Sequence, residues 1–501
     1  MADEAGTEIE PGTEIEQRSE SGPSTGSQHR KDRLLTRRTA RWIDSRTGSA
    51  SLAREALGKV FPDHWSFMIG EIALYSFFVL LATGTYLTFF FHPGTNVVTY
   101  EGRYAPLRGV HMSEAYQSAV NLSFDVRAGL VMRQIHHWAA LLFIAAIVVH
   151  LGRIFFTGAF RKPRELNWMI GITMLILAIF NGFAGYSLLD DQLSGTGLRI
   201  AYSITLSIPL AGTWLASFLF GGKFPGPDII NRLYVIHILL IPALLVALLV
   251  AHLGLVVRHK HTQFGGAGRR EDNVVGERVW PSFAFKSIGL MLLTASLLSL
   301  LGGLAQINPI WLYGPFEPSN VSSASQPDWY MGWADGALRL WPGWETRAFG
   351  FEIPAPFYPA VLLASITFGL LYAWPFLEAR FTEDRDTHHL LDRPRDRPVR
   401  TSMGVATLVF YSVLTLAASS DVTSTTFGLS VNAVLRSFRV LAIFAPPIAA
   451  AISYKLCTDL QARDRAAGHE PPPRPRIRWE LLQFWRWPAR RRAARASPTV
   501  T

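Results

Sequence analysis

Four histidines lie in two long apolar segments, His136 and His150 in one and His237 and His252 in the other. Fourteen residues separate the first pair and fifteen the second. On an α-helix such spacings give about 21 Å of rise and return to within roughly 40° and roughly 60° of the starting face. Each helix therefore presents two imidazoles on one side, near opposite membrane surfaces. Two such helices facing each other would clamp two flat cofactors, one above the other, which is the layout of a transmembrane electron wire. A single polar residue in an apolar helix is otherwise a local hydrogen-bonding device. Ionisable groups at membrane depth default to function, because hydrocarbon offers them no water. His137 is thirteen steps from His150, a rotation of about 220°, so it faces away and stays outside the pair.

Membrane helices must hold these residues. The chain has 501 residues, 49% hydrophobic and 17% charged, with a positive mean hydropathy, the profile of a polytopic membrane protein with polar ends. Eight apolar segments lie at about 66–91, 130–156, 167–188, 229–257, 284–306, 356–377, 403–420 and 435–457. Each is near the ~20 residues needed to span a bilayer. The expected fold is all-α, with eight transmembrane helices, the first four forming a bundle around two cofactors. The single cysteine, Cys457, excludes a disulfide framework, a cysteine zinc site and a covalent CxxCH haem.

Basic residues set the expected orientation. With the N-terminus inside, the inner connections hold clusters at 153–164, 258–278 and 380–400, and both tails are basic. The net charge of +10 is read as this positive-inside bias and not as nucleic-acid binding. Helices two and four then run inward, so His136 pairs with His237 at the outer level and His150 with His252 at the inner level. Imidazoles on both faces of a haem give six-coordinate iron suited to electron transfer.

Glycines repeat the spacing. Gly70 and Gly84 on the first helix are 14 apart, as are Gly171 and Gly185 on the third. A missing side chain lets a large ring approach the backbone. Helices one and three run outward, which assigns Gly84 and Gly185 to the outer level and Gly70 and Gly171 to the inner. Arg133 lies one turn before His136 and Arg153 one turn after His150. Each either pairs with a haem propionate or snorkels to the interface.

Arg133-x-x-His136, His150-x-Gly152-Arg153, the paired glycines, the His237/His252 helix and Pro327-Asp328-Trp329-Tyr330 together resemble cytochrome b of the quinol–cytochrome c oxidoreductase (cytochrome bc1) complex. The last motif looks like the family's PEWY with Asp for Glu. The resemblance runs from about residue 60 to about 457. The fifteen-residue spacing, the PDWY variant, Gly185–Asp191 and Lys260–Phe264 resemble the Gram-positive, high-GC branch. Leu189-Asp190-Asp191 stands where mitochondrial members have Pro-Trp-Gly, so a differently shaped outer pocket is expected.

The resemblance implies two haem b groups, the outer of low and the inner of high potential, and two quinone sites. Quinol, menaquinol in this branch, is oxidised at the outer site. One electron passes to a Rieske iron–sulfur subunit and the other through the haems to an inner quinone, coupled to proton translocation. A cytochrome c subunit, a supercomplex with cytochrome c oxidase and a homodimer in the bacterial plasma membrane, both termini cytoplasmic, are the implied setting.

The outer site is implied between the 190–210 segment, including Gly197, and the loop with Pro327, Asp328, Trp329 and Tyr330. Asp328 is the only motif residue able to take a proton at neutral pH, and its reference pKa of about 3.9 must rise for that role. A helix cap is its structural alternative. Arg258, His259, His261 and Lys286 are the candidates for the inner quinone, against a solvated basic loop. The expected organisation is a disordered then basic arm over 1–60, a dihaem half over 61–260, C-terminal helices with the PDWY loop over 261–457 and a basic tail over 458–501, held at anionic membrane lipids. Two rival readings are a different dihaem subunit, which would lack PDWY and eight helices, and a histidine proton-relay transporter, which would bind no haem.

Overall fold

The computed structural model describes residues 57–320, 326–348 and 350–468, with 38–39, 41–42, 44–48 and 50. The expected disordered arm at 1–37 and the tail beyond 468 lie outside the described residues. The described residues fall in two compact units, one within residues 38–59 with 278–280 and the other over residues 60–277 with 281–468. In the first, residues 44–47 are helical, and the Arg46 guanidinium lies 4.3 Å from the Trp42 ring centre.

The second unit is built of helices: α1 (Ile69–Thr88), α2 (Glu114–Phe124), α3 (Gly129–Thr157), α4 (Glu165–Ser187), α5 (Gln192–Leu206), α6 (Gly212–Phe220), α7 (Ile229–His259), α8 (Ala284–Leu304), α9 (Trp329–Leu340), α10 (Leu363–Thr382), α11 (Pro398–Ala417), α12 (Ser420–Phe427) and α13 (Val431–Ala466). Among the described residues eight helices are long and apolar enough to cross a membrane, and they include α1, α3, α4, α7, α8, α10, α11 and α13. These are the eight expected segments. Their outward faces carry exposed apolar side chains such as Leu240, Val250, Leu293 and Ile443, which suits hydrocarbon and not water.

Two boundaries differ from the hydropathy reading. The expected seventh segment begins at 403, but α11 begins at Pro398, whose fixed φ suits a first helical position. Arg400, Thr401 and Ser402 are buried in that first turn and so escape a hydropathy count. The eighth helix continues through residue 458 to Ala466. Its polar end docks on the 393–396 connection, where Gln461 Nε2 donates to Arg395 O at 2.6 Å and Asp464 lies 3.1 Å from Arg395.

The histidine-bearing helices sit in one bundle: α1 packs on α3, α4 on α7, and α3 beside α4, with α8 across α1 and α3. α7 is not a uniform helix. Ile236–Leu240 forms a π turn, closed by Ile241 N–H donating to Ile236 O. Pro242 follows. It has no N–H to donate, and in an α-helix its ring would meet the carbonyl of residue 238. The wider turn relieves both problems. A π turn also holds one residue more than an α turn. Fifteen residues from His237 to His252 thus advance the helix face as fourteen α-helical residues would, and the mismatch of roughly 60° falls to the roughly 40° of the first pair.

At the His150 end, Arg164 joins connections from both halves of the chain. Its guanidinium donates to His388 O at 2.7 Å, His259 O at 3.0 Å and Lys260 O at 2.9 Å, and meets His389 Nδ1 at 3.0 Å. Alongside it, strand β1 (Gln263–Phe264) pairs in parallel with β2 (Leu390–Leu391).

Candidate functional site: two histidine levels and a carboxylate at one end

At the first level His136 on α3 faces His237 on α7, with ring centres 6.1 Å apart and planes at 77°. That is too far for a bond between the rings, and it is the separation left when one metal ion, with bonds of about 2 Å to each nitrogen, sits between two imidazoles. The other nitrogens are committed. Thr83 Oγ1 donates to Val79 O at 2.7 Å, so it accepts from His136 Nδ1–H at 2.9 Å. His237 Nδ1–H donates to Asn181 O at 2.9 Å. Both Nε2 atoms are left as the free lone pairs, the usual arrangement behind a metal-bound histidine.

Each histidine lies against a glycine of the neighbouring helix. A Cβ at Gly84 would stand 3.1 Å from His136 Cε1, and one at Gly185 only 2.3 Å from His237 Cε1. At the other level, a Cβ at Gly70 would be 3.1 Å from His150 Cε1 and one at Gly171 3.9 Å from His252 Cε1. The structure thus groups Gly84 and Gly185 with His136 and His237, and Gly70 and Gly171 with His150 and His252, the grouping read from spacing. His150 Nδ1 is buried without a partner among the described residues, as are Arg133 Nε and Arg153 Nε and Nη2. Arg133 is only 7% exposed, so it does not snorkel; its other nitrogens donate to Asn308 O at 3.2 and 3.3 Å. The Arg153 guanidinium lies 4.2 Å from the Phe67 ring centre. Facing imidazoles at one level, glycine-notched walls at both and buried guanidinium nitrogens without partners fit flat, metal-centred, anionic cofactors.

Asp328 occupies the N-cap position of α9 but makes no side-chain cap bond. Its carboxylate turns elsewhere. Oδ1 lies 2.8 Å from His137 Nε2 and Oδ2 accepts from the Tyr330 hydroxyl at 3.0 Å. His137 is outside the facing pair, as expected, yet it reaches the PDWY loop, a part that sequence reading did not assign to it. Burial, followed by the nearby charge of Asp328, pushes the Tyr330 phenol well above its ordinary range, so it stays a donor. Gly182 makes room for that hydroxyl: a Cβ there would stand 2.6 Å from it. Trp329 is exposed, with its ring 6.2 Å from that of Tyr330, and Pro327 is half-buried. Gly197 lies on α5, where a Cβ would sit 3.6 Å from the Tyr186 ring.

The Leu189-Asp190-Asp191 departure has a local cause. Asp191 is fully buried and caps α5, accepting from Leu193 N at 2.9 Å and Ser194 N at 3.1 Å. Gln192 N donates to Gly314 O at 2.9 Å and Phe316 N to Asp190 O at 3.0 Å, tying α5 to the 314–317 strand of backbone. Burial pushes the carboxyls of Asp190 and Asp191 up to about 6.

The inner-end candidates do not converge. His261 joins a cluster of rings, 4.3 Å from Phe61 and 5.9 Å from Phe67. Burial, then the charges of Arg153 and Arg164, lowers its pKa to about 4, so it is neutral at physiological pH. Lys286 is engaged by two carboxylates, Asp63 and Glu277, each at 3.0 Å. His259 lends its carbonyl to Arg164, and Arg258 is exposed.

Comparisons with known proteins identify the family of the chain. The family described as cytochrome b (N-terminal)/b6/petB matches residues 141–315. The cytochrome bc1 complex cytochrome b subunit of Mycobacterium tuberculosis is 56% identical over 86% of this chain and 78% of its own length. That of Corynebacterium diphtheriae is 52% identical over 84% and 78%, and that of Streptomyces coelicolor 49% over 85% and 78%. A chain of a hyperthermophilic respiratory Complex III shares the fold, with a TM-score of 0.62 at 21% identity, covering 83% of this chain and 99% of that one. With 49% to 56% of the residues identical across more than four-fifths of the chain, this protein belongs to the family of cytochrome bc1 complex cytochrome b subunits.

Proposed function

We propose that the chain holds two b haems, one between His136 and His237 and one between His150 and His252, and acts as the quinol-oxidising, electron-conducting subunit of a respiratory quinol–cytochrome c reductase. The observation that carries this reading is the set of four histidine–glycine contacts, arranged at two levels. Bound haem would supply one-electron redox chemistry. The chain's own residues do the rest. Thr83 and Asn181 fix the imidazoles at one level, and Arg133 and Arg153 offer cations to the propionates. Asp328 takes a quinol proton at the outer site while His137 and Tyr330 hold its two oxygens. Aspartate is one methylene shorter than glutamate, so a water bridges it to the quinol.

Oxidising one quinol releases two protons and two electrons. One electron leaves to a separate Rieske iron–sulfur subunit and on to a cytochrome c subunit; the other crosses to a quinone at the inner end. Protons leave on the outer side and enter on the inner side, which stores energy across the membrane. Menaquinol is the quinol class, and a homodimer joined with cytochrome c oxidase in the bacterial plasma membrane, both termini cytoplasmic, is the setting. A reduced-minus-oxidised spectrum with redox titration of the purified chain tests the reading. Two b-type transitions at different potentials are expected; a chain without haem absorbance overturns it.

A further inference from the structure

Between α1 and α8 lies a carboxylate that the reading above does not use. Glu71 Oε2 accepts from Ser287 Oγ at 2.7 Å and from the Tyr75 hydroxyl at 3.2 Å, and the two hydroxyls touch each other. Its side-chain partners are thus two neutral hydroxyls; the titratable groups near it are Tyr75 on α1 and, one residue before Ser287 on α8, Lys286. An ionisable group inside paired apolar helices is expensive. A purely structural tie at this place would cost less as serine or asparagine.

Its placement gives it a task. Phe67 lies in the short turn before α1 and Phe283 at the N-cap of α8, four residues before Glu71 and Ser287 respectively. Both rings belong to the cluster around His261: Phe283 is 4.7 Å from Phe61, and Phe67 is 5.9 Å from His261. Asp63, two residues beyond Phe61, brackets Lys286 together with Glu277 at the surface, where their side chains are 60%, 43% and 34% exposed for Asp63, Lys286 and Glu277. The exposed ionic mouth, the cluster of flat rings and the carboxylate with its two hydroxyls thus gather at the starts of α1 and α8, where Lys286 adjoins Ser287 in the chain.

We propose that Glu71 is the proton donor for quinone reduction at the inner end, reloaded from water at the Asp63–Lys286–Glu277 mouth. This rests on the proposed function. A quinone becomes quinol by taking two electrons, which come from quinol oxidised at the opposite site, and two protons. The Glu71 carboxyl gives its proton to a reduced quinone oxygen, and the carboxylate left behind is held by the Ser287 and Tyr75 hydroxyls. It regains a proton from water at the mouth, and a second passage supplies the second proton.

The test uses the assembled complex with its outer site blocked by an inhibitor. The pre-reduced protein is mixed with a water-soluble naphthoquinone, and haem oxidation is followed across pH in H2O and D2O. Glu71→Gln should slow this phase at least about tenfold, the scale of a lost proton-transfer group, with a larger isotope effect and both haem bands intact. Glu71→Asp should keep most of the rate. An unchanged rate and pH profile in Glu71→Gln with both haems present overturns the proposal. Should Glu71→Gln fail to assemble, Ser287→Ala and Tyr75→Phe decide: a slowed, pH-shifted phase supports the relay, and wild-type behaviour overturns it. Absence of haem from the wild-type chain would instead remove the proposed function itself.

Discussion

His137 and Asp328 are 191 residues apart in sequence and 2.8 Å apart in space. The contact draws the Asp328 carboxylate off the end of α9, where its backbone already occupies the cap position, and turns it toward α3. The carboxylate is thereby held away from helix capping, next to the helix that also carries His136.

Replacing Asp328 with Asn keeps shape and hydrogen bonding but removes the proton acceptor. Steady-state quinol–cytochrome c turnover should fall roughly tenfold or more near neutral pH, with both haems still bound and reducible from the inner end. Asp328→Glu should retain most activity. An unchanged rate and pH profile in Asp328→Asn would sink the base assignment.

His137→Ala should leave both haem bands in place, whereas His136→Ala should remove the outer one. With His137 gone, the Asp328 carboxylate is free to fall back on the amides of α9, so the KM for quinol should rise and His137→Gln should restore part of it. Loss of a haem in His137→Ala, with both kept in His136→Ala, would reverse the facing assignment.

The glycines should not be equivalent. A methyl group at Gly185 would meet His237 Cε1 at 2.3 Å, while one at Gly171 would lie 3.9 Å from His252 Cε1, an ordinary contact. Gly185→Ala should therefore weaken or remove the outer haem and Gly171→Ala should leave both, read as separate α-bands in low-temperature spectra. Selective loss of the inner band in Gly185→Ala would contradict the two-level grouping.

The π turn makes a prediction about deletions. Removing Leu240 together with Pro242→Ala takes out the extra residue and its cause, so both haems should remain. Removing Ala247 instead leaves the turn in place and rotates His252 by about 100°, so the inner haem should be lost. Equal haem content in the two deletions would show that the turn does not set the phase of α7.

Asp191 should give the outer end a pH-dependent stability. Burial raises its carboxyl from the ordinary 3.8 to about 6. Between those values the folded chain holds a proton that the unfolded chain has released, so stability falls as pH rises through the window, by roughly 3 kcal/mol in all. Asp191→Asn keeps a good cap and removes the titration. The apparent unfolding temperature of the variant, relative to the parent, should climb from pH 4 to 6 and then level off; a constant difference would refute the assignment.

The parts of this fold that repeat were legible from the chain. His136/His150 and the glycine pairs recur at helical spacing, and eight apolar runs announce eight helices. What escaped depends on distant partners or on local defects. The contact of His137 needs Asp328, and that of Glu71 needs Ser287, more than two hundred residues away. Lys286 reads as a free base until Asp63 and Glu277 appear beside it. The π turn left a trace in the fifteen-residue spacing and in Pro242, but a regular-helix count turns that trace into a mismatch of roughly 60°.

The Arg164 junction bears on chain connectivity. One guanidinium ties the carbonyls of His259 and Lys260 to that of His388, while β1 and β2 run side by side and Gln263 N donates to His389 O at 2.9 Å. The two halves of the protein are thus laced together just beside the peptide that links them. The glycines of that link, Gly265, Gly266 and Gly268, are exposed. A chain nicked there, or made as two polypeptides meeting at that point, would keep the hydrogen bonds of this seam.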